Sequence, residues 1–325
     1  MSTVLLFGAS GFVGRQVRAV LAPDAELRCP GRADCDLGTV ELRELTRLVR
    51  AVAPDAVVNC TGALDGTDDE LVLANTLVTA KLVEAVAAGA PGARLVRIGS
   101  AGEYGPMPPG EAADESATGR PTGAYGVSHL AGTRLVELAC RAGRVDGVVL
   151  RVFNPVGPGL PTGNVLGRAA LLLRQALARG EDRIVLGSLD AHRDFVDVRD
   201  VALAVRAAVR IRALPERIFN IGSGRAVPTR TAVQLLARAA GFTGRIVEEA
   251  GPPGTSRSGG VAWACADIRA AADLLGWRPS YDLPASVSAL WYATAGIQLP
   301  DRGVVPSVTP PAQPKESACI QESAS

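Results

Sequence analysis

Short apolar runs alternate with helical stretches through the first two-thirds of this chain. Positions 4–7, 27–29, 57–60, 95–99 and 148–152 are almost continuously apolar, the pattern of strands covered on both faces. Segments 13–21, 42–52, 70–88 and 125–142 between them carry helical spacing. The alternation predicts an α/β fold with a doubly wound parallel sheet and helices on both sides. From about residue 155 the order loosens and Gly and Pro increase. This predicts a smaller, discontinuous C-terminal lobe, with a crossover back to the sheet. The expected units are residues 1–154, 155–299 and a Pro/Ser/Val-rich segment, 300–325, that lacks periodicity and is expected to be disordered.

Composition narrows the classes. The 325 residues carry 34 basic and 33 acidic side chains, a net charge of +1. Nothing in that balance attracts nucleic acid or an acidic membrane. The six cysteines (29, 35, 60, 140, 265, 319) have neither CxxC nor metal-ligand spacing, so reduced thiols and no metal are expected. No basic leader precedes the first apolar run and no run approaches a membrane span, so a cytoplasmic protein is expected. Only two lysines, Lys81 and Lys315, and two histidines, His129 and His192, occur in the chain.

The stretch from Val4 through Gly8, Ser10, Gly11, Phe12, Val13 and Gly14 sets three glycines between a strand and a helix. Glycine permits the tight turn, the approach of backbone amides to a pyrophosphate, and close helix–strand packing. In this context the pattern predicts a Rossmann-type dinucleotide site. The end of the second strand offers Arg32 where a ribose-binding carboxylate is usual, and Arg15 lies nearby. A guanidinium suits a 2′-phosphate, so NADP(H) is expected ahead of NAD(H). Asp36 and Leu37 are candidates for the adenine side. Cys60, Thr61 and Gly62 end the next strand, where cofactor loops lie.

Ser100 closes the fourth strand, and Tyr125 and His129 follow 25 and 29 residues on. A tyrosine and a cation at i and i+4 share one helical face, and the cation lowers the phenol pKa for proton exchange with a carbonyl or hydroxyl. With the GxxGxxG turn, these residues resemble the extended short-chain dehydrogenase/reductases, in their nucleotide-sugar epimerase/dehydratase/reductase branch. The resemblance implies that Tyr125 donates the proton, Ser100 orients the carbonyl, and both lie beside the nicotinamide. It also implies cofactor contacts from Asn75 and Phe153. His129 stands where the family has lysine; it is expected to hold the cofactor ribose and, when protonated, to stabilise tyrosinate. Ala101 and Gly102 border the substrate where dehydratase members carry an acidic pair, so reduction or epimerisation is implied and water elimination is not.

The resemblance runs over roughly residues 3–295. Asn154 in Arg151–Gly159 matches a donor to the sugar-nucleotide pyrophosphate, and Asn164 and Val165 match the next nucleotide-binding turn. The segment around Arg193 resembles GDP-4-keto-6-deoxymannose reductase-like nucleotide-sugar 4-ketoreductases, with Arg193 and Arg257 in diphosphate positions. Paired guanidinium forks suit phosphate oxygens. The implied reaction is NAD(P)-dependent reduction of the 4-keto group of a nucleotide-diphospho-6-deoxyhexose. A nucleotide-sugar 4-epimerase uses the same motifs, and a non-catalytic binding protein is the reading that His129 keeps open. An RNA-binding role lacks the basic and aromatic residues it would need. The family commonly dimerises through the helix carrying Tyr125; its small and apolar side fits that use and also fits burial in a monomer.

Overall fold

The computed structural model describes residues 2–213, 216–249 and 261–293. Arg257 and the segment 300–325 lie outside them. The first half alternates β1 (Ser2–Phe7), α1 (Phe12–Leu21), β2 (Ala25–Arg28), α2 (Leu42–Val52) and β3 (Ala56–Asn59). It continues through α3 (Asp68–Val72), a π-helical turn (Leu73–Leu77), α4 (Val78–Gly89), β4 (Arg94–Ser100), α5 (Ala124–Arg141) and β5 (Asp146–Val152). The second half contains β6 (Pro155–Val156), α6 (Val165–Arg179), β7 (Arg183–Leu186), β8 (His192–Asp194), β9 (Val196–Asp197), α7 (Val198–Arg210) and β10 (Ile218–Ile221). It closes with β11 (Ala226–Pro228), α8 (Thr229–Ala239), β12 (Arg245–Glu248), β13 (Trp263–Ala264), α9 (Arg269–Leu274) and α10 (Leu283–Ala293).

Among the described residues, six parallel strands form the main sheet in the order β10-β5-β4-β3-β1-β2. The alternation of strand side chains explains the continuous apolar runs. Val4 and Leu6 enter one core and Leu5 and Phe7 the other; Val58, Val96 and Val148 oppose Val57, Leu95 and Val149 in the same way. Strand order reverses between β1 and β3, so the crevice at their carboxyl ends is where an open α/β sheet accepts a ligand. The chain leaves the sheet after β5 and returns by α7, which packs on α1, and by β10, which pairs with β5. A third core unites α6, α8 and α10, and Phe12 of the glycine-rich turn packs against it. Trp277 is buried in the main core and donates from Nε1 to the Asp200 carbonyl at 2.9 Å.

Among the described residues one helical stretch, Asp68–Gly89, is long and apolar enough to cross a membrane. Its Leu71, Val78, Leu82, Val83 and Val86 are instead buried inside the fold, while Val72, Leu73 and Leu77 are exposed.

Candidate active site

The site assembles at the carboxyl ends of β1, β3 and β4. Gly8, at φ +76°, turns so tightly that a Cβ would stand 2.8 Å from the backbone of Cys60. At Gly14 a Cβ would fall 1.9 Å from the Gly8 carbonyl oxygen, so α1 can approach the turn only without a side chain. Gly11, at the N-cap, has extended backbone and no side chain to cover the first amides of α1. These are the features of a cradle for a dinucleotide pyrophosphate. Ser10 is exposed, and Phe12 and Val13 pack half-buried against the two cores. Across the crevice, Asn59 Oδ1 accepts from the Thr61 amide at 3.0 Å and its hydroxyl at 2.6 Å. Burial pushes the Cys60 thiol up to about 12, so it is not a nucleophile at neutral pH.

Asn75 holds this loop from behind. Its side chain exchanges two 3.0 Å hydrogen bonds with the Ala63 backbone and donates to Ser128 Oγ at 3.1 Å. Its amide is thus engaged within the protein as a clamp between the loop and α5. On the adenine side, Asp36 Oδ1 accepts from the Gly38 amide at 2.9 Å. Leu37, expected at the cofactor, is a core residue with 6% exposure. Lys81 grips three carbonyls there, those of Leu37, Gly38 and Val40, at 3.0–3.3 Å. Arg32 is exposed and pairs with no carboxylate among the described residues. Arg15 lies over Gly159, with Nη2 at 2.5 Å from where a Cβ would be.

Ser100, Tyr125 and His129 come together at the end of β4 and the start of α5. Tyr125 Oη donates to Ser100 Oγ at 3.1 Å, and the Gly102 amide donates to the same oxygen at 3.1 Å. A Cβ on Gly102 would press on the Tyr125 ring at 3.1 Å, so the short residues at 101 and 102 leave room beside the phenol. The rings of Tyr125 and His129 lie 4.6 Å apart. Behind them stands Arg97 of β4, only 2% exposed. It donates to the His129 carbonyl at 3.1 Å and approaches His129 Nδ1 at 3.4 Å. A guanidinium cannot accept, so Nδ1 is the acceptor and the imidazole proton sits on Nε2.

The surroundings of His129 disfavour its charged form. Burial, with the Arg97 charge adding to it, holds its pKa well below the ordinary value, so the ring is neutral at physiological pH. The unfolded chain protonates this histidine below about pH 6.5 and the folded chain resists doing so. The stabilising contribution present above pH 6.5 is therefore expected to be lost below it, by about 1.4 kcal/mol per pH unit until the folded pKa is reached. Urea unfolding of the wild type and His129→Gln at pH 7, 6 and 5 checks this. The wild-type curve should fall away from the variant's with that slope; parallel curves contradict a buried neutral imidazole.

Sequence reasoning also passed over the charges beneath the site. Glu103, fully buried, accepts from the Ser100 amide at 3.0 Å and from Arg151 Nε at 2.8 Å, and lies 3.7 Å from Arg97 Nη1. Ser100-x-x-Glu103 is a capping-box spacing, and both halves of the box form. That signal was present in the sequence, as were the two arginines lodged in apolar strands.

Phe153, expected at the cofactor, and the residues expected at the substrate divide. Phe153 is fully buried against Tyr104, Ala113 and Ala266, not at an opening. Asn154 adopts φ +31°, uncommon for a residue with a side chain, and its Nδ2 donates to the Asp194 carbonyl at 2.9 Å. Asn164 caps α6 through a 3.0 Å bond from the Leu166 amide, and Val165 packs in the lobe core. Arg193 donates to the carbonyls of His192 and Val261 at 2.8 and 2.7 Å and pairs with no carboxylate among the described residues. His192 stacks on Trp263 at 5.2 Å. Asp194, unassigned from sequence, gathers the amides of Ser223, Gly224 and Ala266 at 2.6–3.0 Å and fixes the loop behind Arg193.

Known proteins resemble this chain over most of its length. The chain is 40% identical over 304 residues to dTDP-6-deoxy-L-talose 4-dehydrogenase (NAD(P)(+)) of Kitasatospora kifunensis, covering 89% of this chain and 95% of that protein. It is 30% identical over 301 residues to GDP-6-deoxy-D-mannose reductase of Pseudomonas aeruginosa, covering 87% and 94%. The solved structure of RMD from Pseudomonas aeruginosa complexed with NADPH superposes with a TM-score of 0.79 at 26% identity, over 90% of this chain and 98% of that one. The family model "NAD dependent epimerase/dehydratase family" matches residues 4–222, which span the glycine-rich turn, the Ser100–Tyr125 pair and the whole main sheet. The chain therefore belongs to the NAD dependent epimerase/dehydratase family, as an NAD(P)-dependent enzyme of the short-chain dehydrogenase/reductase type.

Proposed function

We propose that the chain interconverts the 4-keto and 4-hydroxyl forms of a nucleotide-diphospho-6-deoxyhexose, with NADP(H) preferred over NAD(H). The observation that carries this reading is the 3.1 Å contact between Tyr125 Oη and Ser100 Oγ, set beside a cradle that fits a dinucleotide pyrophosphate. When bound, the reduced cofactor supplies the hydride that ends on the sugar carbon. Gly8, Gly11 and Gly14 would seat its diphosphate at the start of α1, with Thr61 and Gly62 opposite. Tyr125 gives its proton to the carbonyl oxygen as that oxygen becomes a hydroxyl. Ser100 holds the same oxygen in line, because its hydroxyl hydrogen is its own to donate while it accepts from Gly102 and Tyr125. His129, neutral with its proton on Nε2, offers that N–H to the cofactor ribose. Arg193, a cation without a carboxylate partner, and Asn154 are the groups for the substrate diphosphate, with Arg257 as a third. The short side chains at Ala101 and Gly102 leave no acid–base pair for water elimination.

Spectrophotometry at 340 nm tests the reading. With dTDP-6-deoxy-L-talose or GDP-6-deoxy-D-mannose as probe, the chain is expected to form reduced cofactor in proportion to product, and faster with NADP+ than with NAD+. Epimerisation with no net change in added cofactor would replace this reading by the 4-epimerase one. Arg32→Ala is expected to weaken NADP+ about 10- to 100-fold while leaving NAD+ nearly unchanged, the scale of a lost charged hydrogen-bond pair. Equal losses for both cofactors would count against a 2′-phosphate contact.

The same reading places the enzyme in a reducing compartment such as the cytoplasm, which suits the five free cysteines among the described residues. A homodimer would cover Leu73 and Leu77 of the π-helical turn and Val127 and Leu138 of α5, which are 38–59% exposed. Sedimentation should give a dimer that Leu138→Glu dissociates; a wild-type monomer at micromolar concentration contradicts it.

A further inference from the structure

We infer that Arg97, reaching the catalytic helix from the neighbouring strand, is the cation that activates Tyr125 in place of the lysine this family carries at position 129. The inference rests on the oxidoreductase reading above. Its grounds are geometric. The guanidinium is clamped beneath α5 by Thr79 Oγ1 and Thr133 Oγ1, both at 3.1 Å, and by the carbonyls of Asn75 at 3.4 Å and His129 at 3.1 Å. Gly132 makes the approach feasible: a Cβ there would stand 2.6 Å from Arg97 Nη2. His129, Gly132 and Thr133 thus form one helical face laid on the guanidinium, one to two turns beyond Tyr125.

The local charge balance leaves a positive excess. Among the described residues, the ionisable groups linked to Arg97 are Tyr125 and His129 of α5, Glu103 from the turn after β4, and Arg151 from β5, which lies over the Tyr104 ring. Glu103 is one carboxylate against two guanidiniums, and its shorter pair is with Arg151 at 2.8 Å, against 3.7 Å to Arg97. Burial lowers the Arg97 pKa, whereas Glu103 and the Tyr125 phenol act to raise it, so Arg97 and Tyr125 sense each other's charge. Attraction is reciprocal: the group that favours a charged Arg97 is itself favoured as phenolate. Arg97 touches neither substrate nor reacting atoms. It is a positioning residue that acts on Tyr125 through space and through the His129 ring.

In the dehydrogenation direction, the C4 hydroxyl proton passes to the Tyr125 phenolate oxygen as the C4 hydride passes to the oxidised cofactor, giving ketone, phenol and reduced cofactor. The ascending limb of kcat/KM against pH then reports phenol ionisation. With NADP+ and dTDP-6-deoxy-L-talose or GDP-6-deoxy-D-mannose, Arg97→Gln is expected to move that limb up by at least one pH unit, and Arg97→Lys to hold it within half a unit of wild type. A smaller displacement in Arg97→Gln overturns the inference, whatever the loss in plateau rate. If Arg97→Gln does not fold, His129→Gln decides. A limb displaced by less than one unit supports Arg97, and one displaced further makes the imidazole the activating group and overturns it. Ultraviolet titration of the protein without cofactor, wild type minus Tyr125→Phe, should show Tyr125 ionising at least one unit below the ordinary value of about 10. Ionisation at 10 or above overturns the inference. This titration needs no turnover, so a wild type inert toward both probes would sink the functional reading alone.

Discussion

Tyr125→Phe is expected to lower kcat/KM for the 4-keto/4-hydroxyl interconversion by about 10²- to 10⁴-fold, the usual contribution of a positioned general acid. The substitution removes one oxygen and little else. The ring keeps its 4.6 Å contact with His129, and Ser100 Oγ keeps the Gly102 amide. Folding should therefore be nearly unaffected, with the thermal midpoint within about 2 °C of wild type, since less than about 1 kcal/mol is at stake. Ser100→Ala should cost less, about 10- to 100-fold, because Tyr125 still reaches the carbonyl oxygen without its guide. Steady-state rates with the two nucleotide-sugar probes check both. A Tyr125→Phe enzyme within tenfold of wild type would remove Tyr125 from the role of proton donor.

The second large effect is on stability. Glu103→Ala is expected to destabilise the fold by about 3–5 kcal/mol, the cost of taking one partner from a buried ion pair. The loss is threefold: Arg151 and Arg97 become buried charges without a carboxylate, and the Ser100 amide loses its 3.0 Å acceptor. Glu103→Gln retains an acceptor for that amide and so should fall between Glu103→Ala and wild type. Urea unfolding followed by circular dichroism measures the order. A Glu103→Ala protein within about 1 kcal/mol of wild type would mean that the two guanidiniums find other partners.

The parts legible in the sequence are those fixed by local or periodic constraints. The β1–α1 turn could be read because Gly8 and Gly14 face contacts that no side chain permits, and spacing alone displays that. The two-sided strands could be read because burial on both faces leaves no polar position. Ser100 and Tyr125 were legible by type and separation. The charge state of His129 was not, because it depends on burial and then on Arg97, which is 32 residues distant and meets it through the packing of β4 on α5. Leu37 and Phe153 sit at motif positions but are turned into the core, a choice made by tertiary packing. In a chain whose basic residues are almost all arginine, a structural Arg97 and a surface Arg32 look alike until burial separates them.

The π-helical turn at Leu73–Leu77 sets a constraint on how this chain can change. One residue added to a continuous α-helix turns everything beyond it by about 100°, and a π-helical turn avoids this by widening locally. Leu71 before the turn and Val78 and Leu82 after it are all buried. Deleting one of the five residues would restore regular α-helix and leave both ends on their present faces, so the loss would fall on Asn75 and its bonds to Ala63 and Ser128. Substitutions along this helix can be absorbed one at a time. A single-residue deletion can be absorbed only inside the π-helical turn, where it would cost the Asn75 clamp, since elsewhere in the helix it would rotate everything beyond it by about 100°.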